Sequence, residues 1–197
     1  MTRITLPLFP LRTVLFPDGP LPLRIFEPRY LDMVSRCMRE DTGFGVVLII
    51  EGSETGEAET STVGTVARIV DWYQGSDNIL GITARGTRQF RLHGTSRQAD
   101  GLYIGEVEYL PEVPRTALPA EFAPLATLLE SVIEDLGKLY DGIEKRYDDA
   151  AWVGARLAEI LPMPPTDKQR CLELRDPIEL LHFLQPRLRP FRREKTQ

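Results

Sequence analysis

The sequence predicts an α+β protein: a β-rich first part forming a small barrel or sandwich, one helix inserted early, and a C-terminal helical bundle. Three observations carry this. Period-two alternation of apolar residues recurs in short runs over the first ~110 residues. One stretch there, "EPRYLDMVSRCMRE", has helical spacing instead. After the prolines of "PEVPRTALPAEFAP", apolar residues recur at helical spacing. That proline run sets the expected division, 1–112 for the β-rich subdomain and 113–197 for the helical one.

The opening stretch "FPDGPLPLRIFEPRYLDMV" is apolar yet studded with Pro17, Pro20, Pro22 and Pro28. Proline donates nothing to a β-ladder, so Pro20 and Pro22 predict an edge strand, and "PDG" a tight turn before it. Pro28 suits the first position of a helix. Glu27 before it is expected to accept a backbone N–H at the helix start. Tyr30, Leu31, Val34, Cys37 and Met38 form the apolar face of that helix.

"FGVVLIIE" is continuously apolar, as in a strand buried on both faces. "EGSETGEAETST", with its glutamates and no large apolar residue, reads as a mobile acidic loop. "STVGTVARIVDWY" places Val63, Thr65, Ala67 and Ile69 on one face. "GSDN" is a turn, and "NILGITARG" alternates again with Leu80, Ile82 and Ala84. "RQFRLHG" and "YIGEVEYL" continue the pattern with Phe90, Leu92, Tyr103, Val107 and Tyr109.

In the helical part, one apolar stripe runs from Phe122 through Leu125, Leu128, Leu129, Val132, Ile133 and Leu136 to Leu139. A second helix is expected from Asp149 to Leu161. "TDKQ" reads as a capping box opening a third, Thr166 pairing with Gln169. Asp176 caps a fourth, with Pro177 at its first position. The tail "RPFRREKTQ" is a local basic patch of the solvated kind.

Function classes narrow by exclusion. The net charge is −5, which disfavours non-specific nucleic-acid binding. No run approaches the length of a transmembrane helix, and the N-terminus has no signal-peptide pattern, so a cytoplasmic protein is expected. Cys37 and Cys171 lack a C-x-x-C partner and read as buried thiols, with a disulfide left open. His93 and His182 are isolated, so no metal site is expected. No phosphate loop and no G-x-S-x-G elbow is present. Neither catalytic nor cofactor-binding residues emerge, and a non-enzyme is the expectation. Trp72 and Tyr73, at a strand end beside a turn, read as rim or core packing or as a partly exposed surface for a partner segment.

"LPLFPLRTVLFPDGPLPLRIFEPRYLDMV" resembles the start of the N-terminal, substrate-binding domain of Lon proteases, above all its free-standing bacterial form. "VGTVARIVDW", "LGITARGTRQFRL" and "LPMPPTDKQRCLELRDPIELLHFL" continue the resemblance over nearly the whole chain. The family implies a PUA-like β-barrel followed by a helical bundle, and a role in binding unfolded or exposed protein segments. The ATPase and Ser–Lys protease parts of a full Lon, and the zinc domain of cereblon-like relatives, have no counterpart in these 197 residues. The resemblance thus implies a non-enzymatic protein-binding module, an adaptor for a protease or chaperone. Its "IFEPRY" junction makes Glu27 and Arg29 candidate partner contacts beside Trp72 and Tyr73. RNA binding is the alternative, since PUA-like barrels also occur on RNA-modifying proteins; Arg85, Arg88 and Arg91 in "RGTRQFR" are its best support.

Overall fold

The computed structural model describes residues 3–54, 56, 58–75 and 79–188. The chain groups into two compact units, Met1–Glu112 and Val113–Gln197.

The first unit is a seven-stranded mixed sheet with one helix. Its strands are β1 (Ile4–Leu11), β2 (Pro20–Ile25), β3 (Phe44–Gly52), β4 (Ala58–Thr60), β5 (Val63–Gln74), β6 (Leu80–Arg97) and β7 (Tyr103–Tyr109). Helix α1 (Pro28–Glu40) lies between β2 and β3 in the chain. Hydrogen-bonded neighbours run β1-β7-β6-β5-β3-β4, and β1 also pairs in parallel with β3. The strand path therefore returns on itself. β2 stands off it and pairs with β6 alone.

Two apolar clusters follow from this topology. Phe90, fully buried, centres one with Leu6, Leu8, Val47, Val66 and Val107. The other joins the inner face of α1, through Tyr30, Met33, Val34 and Cys37, to Phe9, Phe44, Ile82 and Ala84. Each such large side chain contributes ~1.5–3 kcal/mol through burial. Phe9 and Tyr30 stack with ring centroids 3.9 Å apart, locking α1 onto β1. Segment 12–16 is pinned by the buried Thr65, whose hydroxyl donates to the Leu15 carbonyl at 2.6 Å.

The proline-rich stretch behaves as expected at three points. Pro17 and Asp18 form a tight turn closed by the Gly19 N–H on the Phe16 carbonyl (3.0 Å), with Asp18 left-handed at φ 62°. Residues two apart in a strand direct their N–H sites to the same side, so Pro20 and Pro22 blank one side of β2. The strand nonetheless keeps a six-residue register with β6, Pro20 opposite Arg85 through Ile25 opposite Leu80. Pro28 opens α1, but the Glu27 side chain does not cap it. The Glu27 backbone carbonyl takes the first helical N–H groups, and its carboxylate is drawn to Arg29 instead.

Other departures have equally local causes. The acidic "loop" is partly strand: β3 runs on to Gly52, and β4 returns against it through a register shift. "NILGITARG" and "RQFRLHG" are one strand, since bulges let β6 follow β5 and then β7. β5 alternates less than expected: residues 63–67 are all buried, and those from Val70 onward all exposed. β3 is buried on both faces only as far as Ile49; Ile50 is exposed. Of the expected "GSDN" turn, residues 76–78 lie outside the described residues, as does the "RPFRREKTQ" tail.

The second unit carries α2 (Ala123–Leu136), α3 (Ala150–Ile160), α4 (Pro165–Glu173) and α5 (Pro177–Leu184). α3 contacts α2, α4 and α5. Asp149 and Asp176 cap α3 and α5, accepting from the backbone N–H of Ala151 and of Ile178 and Glu179. The capping box at "TDKQ" does not form. α4 begins at Pro165, two residues before the start a Thr166 cap requires, which moves Thr166 inside the helix, and the Gln169 amide donates to Glu173. Leu136 and Leu139 fall past the buried stripe and are exposed. Arg156, wholly buried, pairs with Glu159 at 3.0 Å, and the Tyr140 hydroxyl donates to the same carboxylate.

Candidate functional site: the β2–α1 junction and the exposed aromatic end

The sequence candidates lie around one end of the β2–β6–β5 segment. The register sets Trp72 opposite Ile82 and Ile82 opposite Leu23; Tyr73 faces Gly81, and Gly81 faces Arg24. Glu27 and Arg29 follow directly after β2, whose last residue pairs with Leu80. The strand β6 stands between the two pairs of candidates.

Arg29 is bound inward. Its side chain is 6% exposed, and its Nε and Nη2 donate to the Glu27 carboxylate at 3.0 and 2.9 Å. Nη1 donates to the Gly101 carbonyl and Nη2 to the Glu54 carbonyl, both at 2.8 Å. The guanidinium also lies 4.7 Å from the Tyr30 ring centroid. One residue thus ties the start of α1 to the β3–β4 connection and to the turn before β7. Glu27 remains 22% exposed at its side chain. Beside them, burial pushes the Tyr30 hydroxyl up to about 12, against the lowering effect of Arg29.

Trp72 and Tyr73 are rim residues with most of their surface in solvent, 56% and 58% exposed. The Tyr73 ring lies over Gly81, where an added Cβ would come within 2.2 Å of it. That cross-strand cover holds the ring without burying it. Phe26, just past the end of β2, is 65% exposed, and Val70 in β5 is 51% exposed. Sequence reasoning missed both. The signal was present for Phe26: Leu21, Leu23 and Ile25 alternate inward, so the next residue points away from the core.

Among the described residues the two histidines stand apart from one another and from both cysteines. The His93 Nε2 meets the Glu108 carboxylate at 3.1 Å, and His182 meets the Phe122 ring edge-on. No group of three metal-ligating side chains occurs among the described residues. Cys37 and Cys171 are free and buried, and burial raises both thiols above their ordinary value. No helix among the described residues is long and apolar enough to cross a membrane.

A family profile described as the ATP-dependent protease La (LON) substrate-binding domain matches residues 5–188. The chain belongs to this family. A Lon N-terminal domain protein from Xanthomonas campestris, known from a crystal structure, is 38% identical with a TM-score of 0.77, covering 93% of this chain and 98% of that one. The N-terminal domain of a Mycobacterium avium complex Lon protease shares the fold at 14% identity and a TM-score of 0.64, over 92% of this chain and 97% of that one. Among curated proteins, Lon protease 2 of Myxococcus xanthus is 28% identical over 87% of this chain, and Lon protease of Escherichia coli K12 26% over 92%. Cereblon of Danio rerio is 30% identical over 60% of the chain. The chain spans 22% to 29% of the length of these three relatives. As a substrate-binding domain of the Lon family, it points to substrate recognition.

Proposed function

We propose that this chain is a non-enzymatic module that binds exposed apolar segments of protein clients and serves as an adaptor in cytoplasmic protein quality control, presenting them to a protease or chaperone. The observation that carries this reading is the exposed aromatic end of β2–β6–β5. Monomeric proteins seldom leave several large apolar side chains together in solvent without a use for them. The strand path that returns through β1 and β3 is the PUA-like barrel of this reading, and the α2–α5 region its helical bundle.

In this reading Tyr73 and Phe26 make contacts on the outer face of the strands, and Trp72 makes them from the opposite face at the same strand end. Glu27 offers a reachable charge at the junction, and Arg29 holds that junction in place. Pro20 and Pro22 discourage strand addition along the open edge of β2. The client therefore engages side chains more than backbone.

Trp72 supplies its own test. It is largely exposed, whereas Trp152 is 3% exposed and serves as a constant background. Titrating an unfolded apolar peptide should shift Trp72 emission to the blue with micromolar or weaker affinity and a shallow salt dependence. Trp72→Ala and Phe26→Ser should each weaken binding of a labelled peptide about tenfold, one well-packed anchor's share. Tight, steeply salt-dependent binding of a structured RNA with no peptide signal would favour the RNA-binding alternative instead.

A further inference from the structure

A second surface of the β-rich unit holds more cations than nearby carboxylates. Between β1, the C-terminal half of α1, β5, β6 and β7 lies a notch of about 620 Å3. Arg36, Arg68 and Arg88 line it, against a single lining carboxylate, Glu40. Glu40 is half-exposed and its Oε1 lies 3.8 Å from Arg39. Arg68 is anchored, donating to the carbonyl and carboxylate of Asp41 at the end of α1. Arg36 and Arg88 make no ion pair or hydrogen bond among the described residues. Arg88 instead lies 4.5 Å from the centroid of the Tyr109 ring, itself part of the lining. A guanidinium held by its face on an aromatic ring keeps its edge donors free, in the fork that suits a carboxylate. Arg85 adds to the imbalance. It stands directly across from Arg68 in the β5–β6 register, with its Nε buried and unpartnered among the described residues. Like charges in that position are unfavourable, and the Asp41 carboxylate lies against Arg68 alone.

We propose that this notch receives the side-chain carboxylates of an acidic residue within the bound client segment, so that the module selects apolar segments carrying Asp or Glu. The inference rests on the protein-binding reading above. Charge complementarity supplies the anion, and the apolar lining at Ile4 and Ile104 excludes a fully hydrated one. The volume lies in the range that encloses a drug-sized ligand, several residues of chain rather than one terminal group. The bulge between Ile69 and Asp71 puts Arg68 and Tyr73 on one face of the sheet: their partners on β6, Arg85 and Gly81, are four residues apart, roughly 13 Å at ~3.3 Å per residue. An extended segment of about five residues spans both.

The test uses the full chain and three dye-labelled peptides of one apolar sequence: with two Asp and an amidated C-terminus, with Asn for Asp and amidated, and with Asn and a free C-terminus. Anisotropy should show the Asp peptide binding about tenfold tighter than the amidated Asn peptide, the free terminus adding little. In the Arg36→Gln/Arg88→Gln protein, its melting curve checked against the parent, the Asp peptide should fall to the affinity of the Asn peptide. Equal binding of the Asp and Asn peptides overturns this inference and leaves the protein-binding reading standing. So does an Asp advantage that survives both substitutions. An advantage conferred by the free terminus alone also overturns it, since the site then reads chain ends. Absence of binding by any peptide overturns both readings. Steeply salt-dependent RNA binding that the same substitutions abolish would assign the notch to phosphate and overturn the carboxylate.

Discussion

Replacing Arg29 by methionine separates a structural bracket from a contact residue. Methionine keeps the length and the apolar packing on Tyr30 while removing the guanidinium. The change strips the Glu27 carboxylate of its partner at 2.9–3.0 Å and the Glu54 carbonyl of its donor at 2.8 Å. The Gly101 carbonyl fares better, because Arg97 Nε also donates to it at 3.3 Å. Breaking a buried ion pair on one side costs about 3–5 kcal/mol. Solvent reaches the 22%-exposed Glu27 side chain, which places the expected loss near the lower end, about 3 kcal/mol. Glu27→Gln removes the charge that would be stranded, so the double variant should be less destabilised than the two single losses added, a coupling of about 1–2 kcal/mol. Urea unfolding followed through Trp72 in a Trp152→Phe background reads the β-rich unit by itself. A loss below about 1 kcal/mol for Arg29→Met would refute the bracket and leave the guanidinium available to a partner.

Two further outcomes follow from buried groups and close approaches. The Tyr30 hydroxyl is buried without a hydrogen-bond partner among the described residues, so Tyr30→Phe should be neutral or stabilising by about 1 kcal/mol in urea melts near pH 8. Because its folded value is raised from 10.0 to about 12, its contribution is fully present below pH 10 and is lost as pH climbs through 12. Stability plotted against pH should fall across that window, and less steeply in Tyr30→Phe. An added Cβ at Gly86 would lie 2.1 Å from the Phe16 carbonyl oxygen, whereas one at Gly94 meets nothing within 4 Å. Gly86→Ala should therefore cost about 2 kcal/mol or more by chemical denaturation, with Gly94→Ala close to neutral.

The sequence disclosed those features that depend on one residue's covalent chemistry. Pro28 and Pro177 could only begin helices, and Asp176 before Pro177 could hardly avoid capping one. Alternation placed Ile82, Ala84, Phe90 and Val107 in the interior. What stayed hidden depends on partners distant in the chain. Arg29 looked like a surface contact because its acceptors, the Glu54 and Gly101 carbonyls, lie 25 and 72 residues away. Glu27 looked like a helix cap although its competitor, Arg29, stands only two residues on; the distant acceptors that fix Arg29 in place are what the sequence does not show. Thr166 and Gln169 have the spacing of a capping box, but Pro164 and Pro165 fix the helix start two residues earlier than that box allows. The β5–β6 bulges had no signal in period-two counting, which assumes an unbroken pleat.

The prolines of the opening stretch and the exposed aromatics are two parts of one arrangement. A strand edge lined with apolar side chains ordinarily invites a second copy to pair with it. Pro20 and Pro22 withdraw the donors that such pairing needs, while leaving β2 in register with β6 and so leaving Phe26, Trp72 and Tyr73 on a rigid support. Self-association through the backbone is discouraged, and the side-chain surface is kept. Strand addition would recognise any extended chain alike, because backbone is common to all. A surface that reads side chains can discriminate: in the reading proposed above, aromatics would select apolar residues and the arginines of the notch acidic ones. If the design is as argued, restoring Pro20 and Pro22 to residues with N–H groups should promote dimerisation, visible by light scattering, without sharpening selectivity between the Asp and Asn peptides. Sharper selectivity in the proline-free protein would mean that backbone pairing aligns the client, and that the prolines limit recognition rather than protect it.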